Sequence, residues 1–245
     1  MDRLLNTAYE SLVGRCILPA YETGLRRRGT FRYRREFASN QWKSPEEIDQ
    51  LQWRRLSVLL KHAYDTVPYY REAFGSAGLT PDQITSPSDF ARLPLLDKPT
   101  VRTHREGLIS SAFDARDLIE SATGGSTGEP MRFCYDRASY ERRTAAAMRG
   151  DEWAGWKLCA PEFYIWGVPL LPQSGLIKLK KKLYHASLRR TVVNSFDLSP
   201  DRIAGHVRLY HQSRARIVIG YANALYLFAL LAKDAGLKLK QGVYY

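Results

Sequence analysis

From Ser44 onward, apolar residues recur three and four positions apart, at Ile48, Leu51, Leu56, Leu59, Leu60 and Ala63. That spacing predicts a helix with one buried stripe, running through Tyr64. Ser44-Pro-Glu-Glu47 supplies its start. The serine can cap free N–H groups, the glutamate three residues on can reciprocate, and proline suits the first turn. Val67-Pro-Tyr-Tyr70 breaks the pattern and opens a shorter helix ending near Gly75 to Gly78. A proline-punctuated connector follows over 81–96, with a helical turn at Ser86 to Phe90, and residues 98–110 suggest one more helix. Residues 1–43 mix short amphipathic stretches with arginines and read as a helical, basic lead-in packed on a body that occupies 44–245.

At Leu118 the period changes to two. Strands are expected from Leu118 to Thr123 and from Met131 to Tyr135, where Met131, Phe133 and Tyr135 alternate with Arg132, Cys134 and Asp136. A helix from about Arg137 to Gly155 then carries Tyr140, Thr144, Ala147 and Met148 toward the core. Further strands are predicted at Glu162 to Gly167, Thr191 to Phe196 and Arg216 to Gly220. Ser199-Pro-Asp-Arg starts a capped helix with Ile203, Val207 and Tyr210 on one stripe. Another helix follows Gly220, bearing Leu225, Phe228, Ala229 and Ala232, and stops at Gly236. Strands alternating with helices imply parallel βαβ units, so the fold class is α/β.

Between the first two strands lies Ser121-Ala-Thr-Gly-Gly-Ser-Thr-Gly-Glu-Pro130. Glycines allow successive backbone N–H groups to converge on an anion, and hydroxyls add donors, so this loop is suited to phosphate. It is not the P-loop of common NTPases, because Glu129 and Pro130 stand where Lys-Ser/Thr and a helix would be needed. The dinucleotide fingerprint also fails, since no helix opens on Gly124, Gly125 and Gly128. What remains is a strand-loop-strand hairpin with donors at Thr123, Gly124, Gly125, Ser126, Thr127 and Gly128.

That loop resembles the phosphate loop of the adenylate-forming superfamily, in its phenylacetate–coenzyme A ligase variant. Ala63-Tyr-Asp-Thr-Val-Pro-Tyr-Tyr70 with Arg71, Leu93-Pro-Leu-Leu-Asp-Lys98, Ala154-Gly-Trp156, Trp166-Gly167 and Ile219-Gly-Tyr-Ala-Asn-Ala-Leu225 look like further landmarks of that family, in order. The resemblance covers about Ser44 to Gly236, and is similar in flavour to the capsular-polysaccharide-associated branch. It departs from many superfamily loops at Met131, where those carry lysine. The resemblance implies a partial N-terminal domain of the adenylate-forming fold and an enzyme that uses ATP, Mg²⁺ and coenzyme A on a small carboxylic acid. The family's Tyr-Gly-x-x-Glu segment, ribose-binding Asp and C-terminal catalytic Lys have no match in the 245 residues. The chain is therefore expected to be a fragment, or a split or degenerate protein, whose C-terminal half is missing, with catalytic residues unknown and the chain inactive alone. A non-catalytic binding or scaffold protein in surface-polysaccharide assembly is the competing reading. An acyl site is expected at the C-terminal ends of the parallel strands, at Trp166, Gly167, Gly220 and Tyr221, where Tyr221 either lines the site or packs under it.

Composition narrows the alternatives. No apolar run approaches the roughly 20 residues of a membrane span, and the N-terminus lacks a secretory leader's apolar centre, so a cytoplasmic chain is expected. Three cysteines without paired spacing suggest neither a disulfide framework nor a zinc site, and the five histidines form no catalytic or metal-binding order. Net charge is +12, concentrated in Arg26 to Arg28 with Arg32, Arg34 and Arg35, and again from Lys178 to Arg190. The first cluster, interleaved with Phe31, Tyr33 and Phe37, reads as a solvated face, with an anionic membrane or stacked single strands as alternatives. The second reads as a surface segment able to attract a polyanion such as coenzyme A. No nucleic-acid partner is expected on balance, and peripheral membrane contact stays open.

Overall fold

The structure, a computed structural model, describes residues 2–123, 130–167, 175–239 and 243–244. The chain divides into two compact units, one of residues 29–147 and one that joins 1–28 to 148–245. The lead-in begins with α1 (Asp2–Tyr9), continues through a wider π-helical stretch (Glu10–Ile17) and α2 (Leu18–Ala20), and ends in a second π stretch (Tyr21–Leu25). It is pinned to its own unit by named bonds. The Tyr9 hydroxyl donates to the Ser187 carbonyl at 2.9 Å, Arg189 donates to Asn6 at 2.7 Å, and Arg216 pairs with Glu10 at 2.7 Å. At Gly14 a Cβ would fall 2.8 Å from the Leu158 carbonyl oxygen, so only glycine allows this approach.

The 29–147 unit starts with α3 (Thr30–Asn40) and α4 (Pro45–Thr66). The expected capping box is present: Glu47 N–H donates to Ser44 Oγ at 3.2 Å and Ser44 N–H to Glu47 Oε2 at 3.0 Å. Val67 is extended ahead of Pro68, which ends α4 and starts α5 (Pro68–Ser76). Arg71 then folds back to donate to the carbonyls of Tyr64 at 3.2 Å and Asp65 at 2.5 Å, satisfying free acceptors at the end of α4. The Val-Pro-Tyr-Tyr-Arg landmark is thus a helix-to-helix corner. Leu60, Phe74, Leu79 and Ile84 form the small core beneath it. Next come α6 (Pro87–Phe90) and α7 (Lys98–Thr103), the latter capped by Asp97, which accepts from Thr100 N–H at 2.8 Å. The helix predicted over 98–110 therefore stops early, with turns from His104 onward.

Strands β1 (Leu118–Ala122) and β2 (Arg132–Asp136) pair antiparallel, Leu118 opposite Asp136 and Ala122 opposite Arg132. Helix α8 (Arg137–Trp153) follows, and its buried face differs from the expected one. Glu141 and Ala145 are buried while Tyr140 and Ala147 are exposed. The shift has a polar cause: Glu141 accepts from Gly29 N–H at 2.7 Å and from Arg137 at 3.0 Å, which turns a charged residue inward. Tyr33 is buried between the guanidinium groups of Arg142 at 4.2 Å and Arg32 at 4.8 Å, and Phe31 is buried too. Those two aromatics of the first basic cluster are therefore packed away, unable to serve as a platform for stacked bases.

In the other unit, β3 (Glu162–Trp166), α9 (Gly175–Ser187), β4 (Arg190–Asn194), α10 (Pro200–Ser213), β5 (Ile217–Gly220), α11 (Ala222–Asp234) and β6 (Val243–Tyr244) alternate. The sheet is parallel, in the order β4-β3-β5-β6. Parallel βαβ units were legible in the sequence. Helix α9 was not, and β4 ends at Asn194, where Ser195–Asp197 turn as a short 3₁₀ segment. Phe163 and Ile165 from β3 pack with Ile203, Val207 and Tyr210 of α10 and Phe228 of α11. The predicted α10 stripe is the buried one, although the Ser199 side chain makes no capping bond.

The opposite side of β3 is polar at its start. Glu162 is 1% exposed, yet it is fully engaged: Oε1 accepts from the Trp156 indole N–H, and Oε2 pairs with Arg190 Nε at 2.7 Å. Arg190 in turn lies 4.1 Å from the Tyr164 ring centroid. Burial would lower the Arg190 pKa, but Glu162 and Tyr164 outweigh it and hold the guanidinium charged. Burial pushes the Tyr164 hydroxyl well above its ordinary value. Removing one partner of such a pair leaves a desolvated charge. Glu162→Ala should therefore lower unfolding free energy by about 3–5 kcal/mol in urea titration, against about 1 kcal/mol for Ser44→Ala.

Cysteine chemistry gives a second check. Cys159 is buried, and burial followed by Glu162 pushes its thiol up to about 11, while Cys16 is exposed. At pH 8 a disulfide reagent should modify Cys16 rapidly and reach Cys159 only on unfolding, as peptide mapping of the labelled protein would show.

Candidate functional site

The hairpin expected to hold phosphate is built as a neck. Thr123 N–H donates to the Met131 carbonyl at 3.0 Å, and Met131 N–H donates to Thr123 Oγ1 at 3.0 Å. Seven residues, 124–130, run between those two positions. Thr123 thus closes the neck with its oxygen and keeps its hydroxyl proton to donate. Gly124, Gly125, Ser126, Thr127 and Gly128 lie outside the described residues. Beside β2 is a cleft of about 380 Å³, lined by Tyr70, Val101, Ile109, Phe113 and residues 131–136. Burial, then neighbouring Tyr69, raises the Tyr70 hydroxyl pKa. The landmark Tyr70 therefore lines a cleft beside the hairpin. Lys98 is exposed at the start of α7.

The four residues expected at the acyl site are brought together in the other unit. Strands β3 and β5 are parallel neighbours with Ile165 opposite Gly220, which puts Trp166, Gly167, Gly220 and Tyr221 on the C-terminal edge of the sheet. Trp166 and Tyr221 stack with centroids 4.3 Å apart and planes 23° apart, both partly open to solvent at 41% and 52%. Gly220 has a packing duty: a Cβ there would stand 2.7 Å from the Ile165 carbonyl oxygen and 3.1 Å from Leu225. At Gly167 a Cβ would meet the Phe196 ring at 3.3 Å. Phe196, 73% exposed just past β4, joins the same edge.

Sequence reasoning missed Phe196 as a site residue. Its signal was available, because an aromatic directly after a parallel strand sits at the ligand edge of such a sheet. The geometry here is an aromatic platform rather than a set of proton-transfer groups. Among the described residues, no three His, Cys, Asp or Glu side chains gather to hold a metal.

The α/β fold, with a four-stranded parallel sheet in one unit and a β-hairpin closed at Thr123 and Met131 in the other, is similar to that of a CoA ligase of known structure. Solved structures agree: 2-hydroxyisobutyryl-CoA ligase, in complex with 2-HIB-AMP and CoA, matches with a TM-score of 0.61 at 21% identity, over 79% of this chain and 41% of that one. An open conformation of the same ligase gives a TM-score of 0.60 over 45% of its chain. No family model matches the chain. Among characterised proteins, phenylacetate–coenzyme A ligase of Escherichia coli K12 is 35% identical over 88 residues, 36% of this chain and 20% of that enzyme. The Aromatoleum evansii enzyme is 33% identical over 87 residues, again 36% of this chain and 20% of its own length. Protein CapK of Staphylococcus aureus is 21% identical over 196 residues, 79% of this chain and 42% of that protein. The chain is similar to the phenylacetate–coenzyme A ligases over about a third of its length and to CapK over most of it, and it shares the fold of an acyl-CoA ligase. It spans a fifth to two fifths of the length of these relatives.

Two substitutions test the aromatic edge. Gly220→Ala should cost about 1–3 kcal/mol in chemical denaturation, because the overlap is with backbone. A double-mutant cycle on Trp166→Ala and Tyr221→Ala should give a coupling of about 0.5–1.5 kcal/mol.

Proposed function

We propose that this chain is the N-terminal part of an ATP-dependent acyl-activating enzyme. In that reaction a carboxylate oxygen attacks the α-phosphorus of ATP, the bond to the β-phosphate breaks, and acyl-AMP and pyrophosphate form. A thiol, coenzyme A in this reading, then attacks the acyl carbon and expels AMP. The charge that moves onto departing pyrophosphate calls for positioned donors that need no reorganisation. Thr123 with the backbone and hydroxyl donors of Gly124, Gly125, Ser126, Thr127 and Gly128 fits that demand. The observation that carries this reading is the hairpin itself: strands paired in register and closed by Thr123 and Met131 around a Gly/Ser/Thr loop.

Trp166, Gly167, Gly220 and Tyr221, with Phe196 added, suit an acyl group. Flat exposed rings at the strand ends offer apolar area and an edge against which an aryl or alkyl acid can pack. Mg²⁺ is implied by the resemblance, but the described residues do not assemble a carboxylate set for it. The C-terminal portion of the family fold would supply the adenine, ribose and lysine contacts. On that reading the 245-residue chain binds nucleotide weakly and does not turn over alone.

A second reading rests on the similarity to CapK, which extends over 79% of the chain: a non-catalytic binding or scaffold protein in surface-polysaccharide biosynthesis. Nucleotide binding separates the two. In equilibrium dialysis the chain should retain ATP, and Ser126→Ala with Thr127→Ala should weaken retention at least about tenfold, as loss of two charge-assisted bonds implies. Pyrophosphate release with ATP and a panel of aryl and fatty acids should stay at background. Absence of ATP retention would favour the scaffold reading, and robust turnover would overturn the proposed dependence on a C-terminal portion.

A further inference from the structure

Helix α9 carries a stripe of leucines that faces outward. Leu176, Leu179 and Leu183 fall on one stripe at i, i+3 and i+7, and they are 82%, 54% and 63% exposed. Lys180 and Lys182 are exposed on the same helix. Beside it lies the lead-in, and the two line a groove of about 670 Å³ that includes Ile17, Leu18, Tyr21, Lys180, Leu183 and Tyr184. Leu12 and Leu25 of the lead-in are also exposed, at 60% and 76%. An apolar surface of this extent is uncommon on a free solvated face.

Charge says what would cover it. From Phe163 to Phe196 the sequence holds four lysines and two arginines and no Asp or Glu. Between Ser11 and Arg28 it holds Arg15, Arg26, Arg27 and Arg28 and a single acid, Glu22. That acid is buried and paired with Arg28 at 2.9 Å, and Glu10 is paired with Arg216. The face is therefore apolar at its centre, basic around it, and without an exposed carboxylate of its own between those limits. Lysines interleaved with leucines suit a lipid–water boundary, where the stems lie in the apolar layer and the ammonium groups reach anionic headgroups.

We infer that α9 and the lead-in form a docking surface for an anionic lipid bilayer. The helix lies in the interface plane with Leu176, Leu179 and Leu183 in the acyl boundary, while Lys180, Lys182 and Arg26 meet the headgroups. Binding is peripheral and reversible. Among the described residues no helix is long and apolar enough to cross a membrane. The residues of this surface are not those of the aromatic edge at Trp166 and Tyr221, so the inference stands whether or not the chain activates acids.

The test is co-sedimentation of the full chain with sonicated vesicles of neutral phosphatidylcholine, or of phosphatidylcholine with about a third phosphatidylglycerol. The chain should pellet with the anionic vesicles only, and less as salt is raised past physiological strength. Lys180→Glu with Lys182→Glu should weaken partitioning at least about tenfold, and Leu176→Ser, Leu179→Ser and Leu183→Ser together should do the same. Arg54→Glu with Arg92→Glu makes the same change in net charge on exposed positions of the other unit and should leave it unchanged. Circular dichroism and the unfolding midpoint confirm that each variant is folded. Equal binding to neutral vesicles, or equal loss in the Arg54/Arg92 variant, overturns the inference. So does failure to pellet, including the case where the face instead retains free coenzyme A or an oligonucleotide, or pairs two copies of the chain.

Discussion

A carboxylate buried at the start of a parallel strand is the constraint on which the larger unit depends. Glu162 lies beside Arg190 in the β3–β4 register, takes the Trp156 indole N–H on one oxygen and Arg190 on the other, and leaves no lone charge in the interior. Its backbone N–H donates to Arg189 at 3.0 Å, so side chain and main chain fix the same register. Since a one-residue slip would turn Arg190 to the α10 side, where Phe163, Ile165 and Val193 pack, the ion pair and the apolar core enforce one alignment. That alignment sets where Trp166 emerges beside the end of β4 at Asn194, and so one side of the candidate acyl edge. Asp151 feels the same cluster: burial first, then Glu162, raises its pKa.

Much of this was written in the sequence. The capping box at Ser44, the break at Val67-Pro68, the hairpin strands and the α10 stripe follow from local chemistry, and each is present. Helix α9 was hidden because its lysines, between Lys178 and Lys182, read as a charged surface segment, while the leucines among them at 176, 179 and 183 are exposed rather than part of a core stripe. The α8 face was misassigned because a buried Glu141, paired with Arg137 and capping Gly29, looks like a solvent residue in sequence. Long-range partners decide such cases, and sequence spacing does not carry them.

The candidate site was legible in residue type more than in arrangement. The strand ends that carry Trp166, Gly167, Gly220 and Tyr221 do converge, but the reason for Gly220 is contact with Ile165 and Leu225, which no motif reveals. Phe196 entered only through its ring against Gly167. Thr123 gained a structural duty at the loop neck that a list of phosphate donors omits. The landmark segment around Arg71 likewise proved to be a helix corner, held by Arg71 on the carbonyls of Tyr64 and Asp65.

The central claim is that the loop closed by Thr123 and Met131 holds the triphosphate of ATP. Amide hydrogen exchange of the chain with and without ATP addresses it most directly, because it reads that loop by position. The account predicts slowed exchange in peptides spanning 121–131 and no change in those from α4. Unchanged exchange across 121–131 at saturating ATP, or protection confined to other segments, would contradict it.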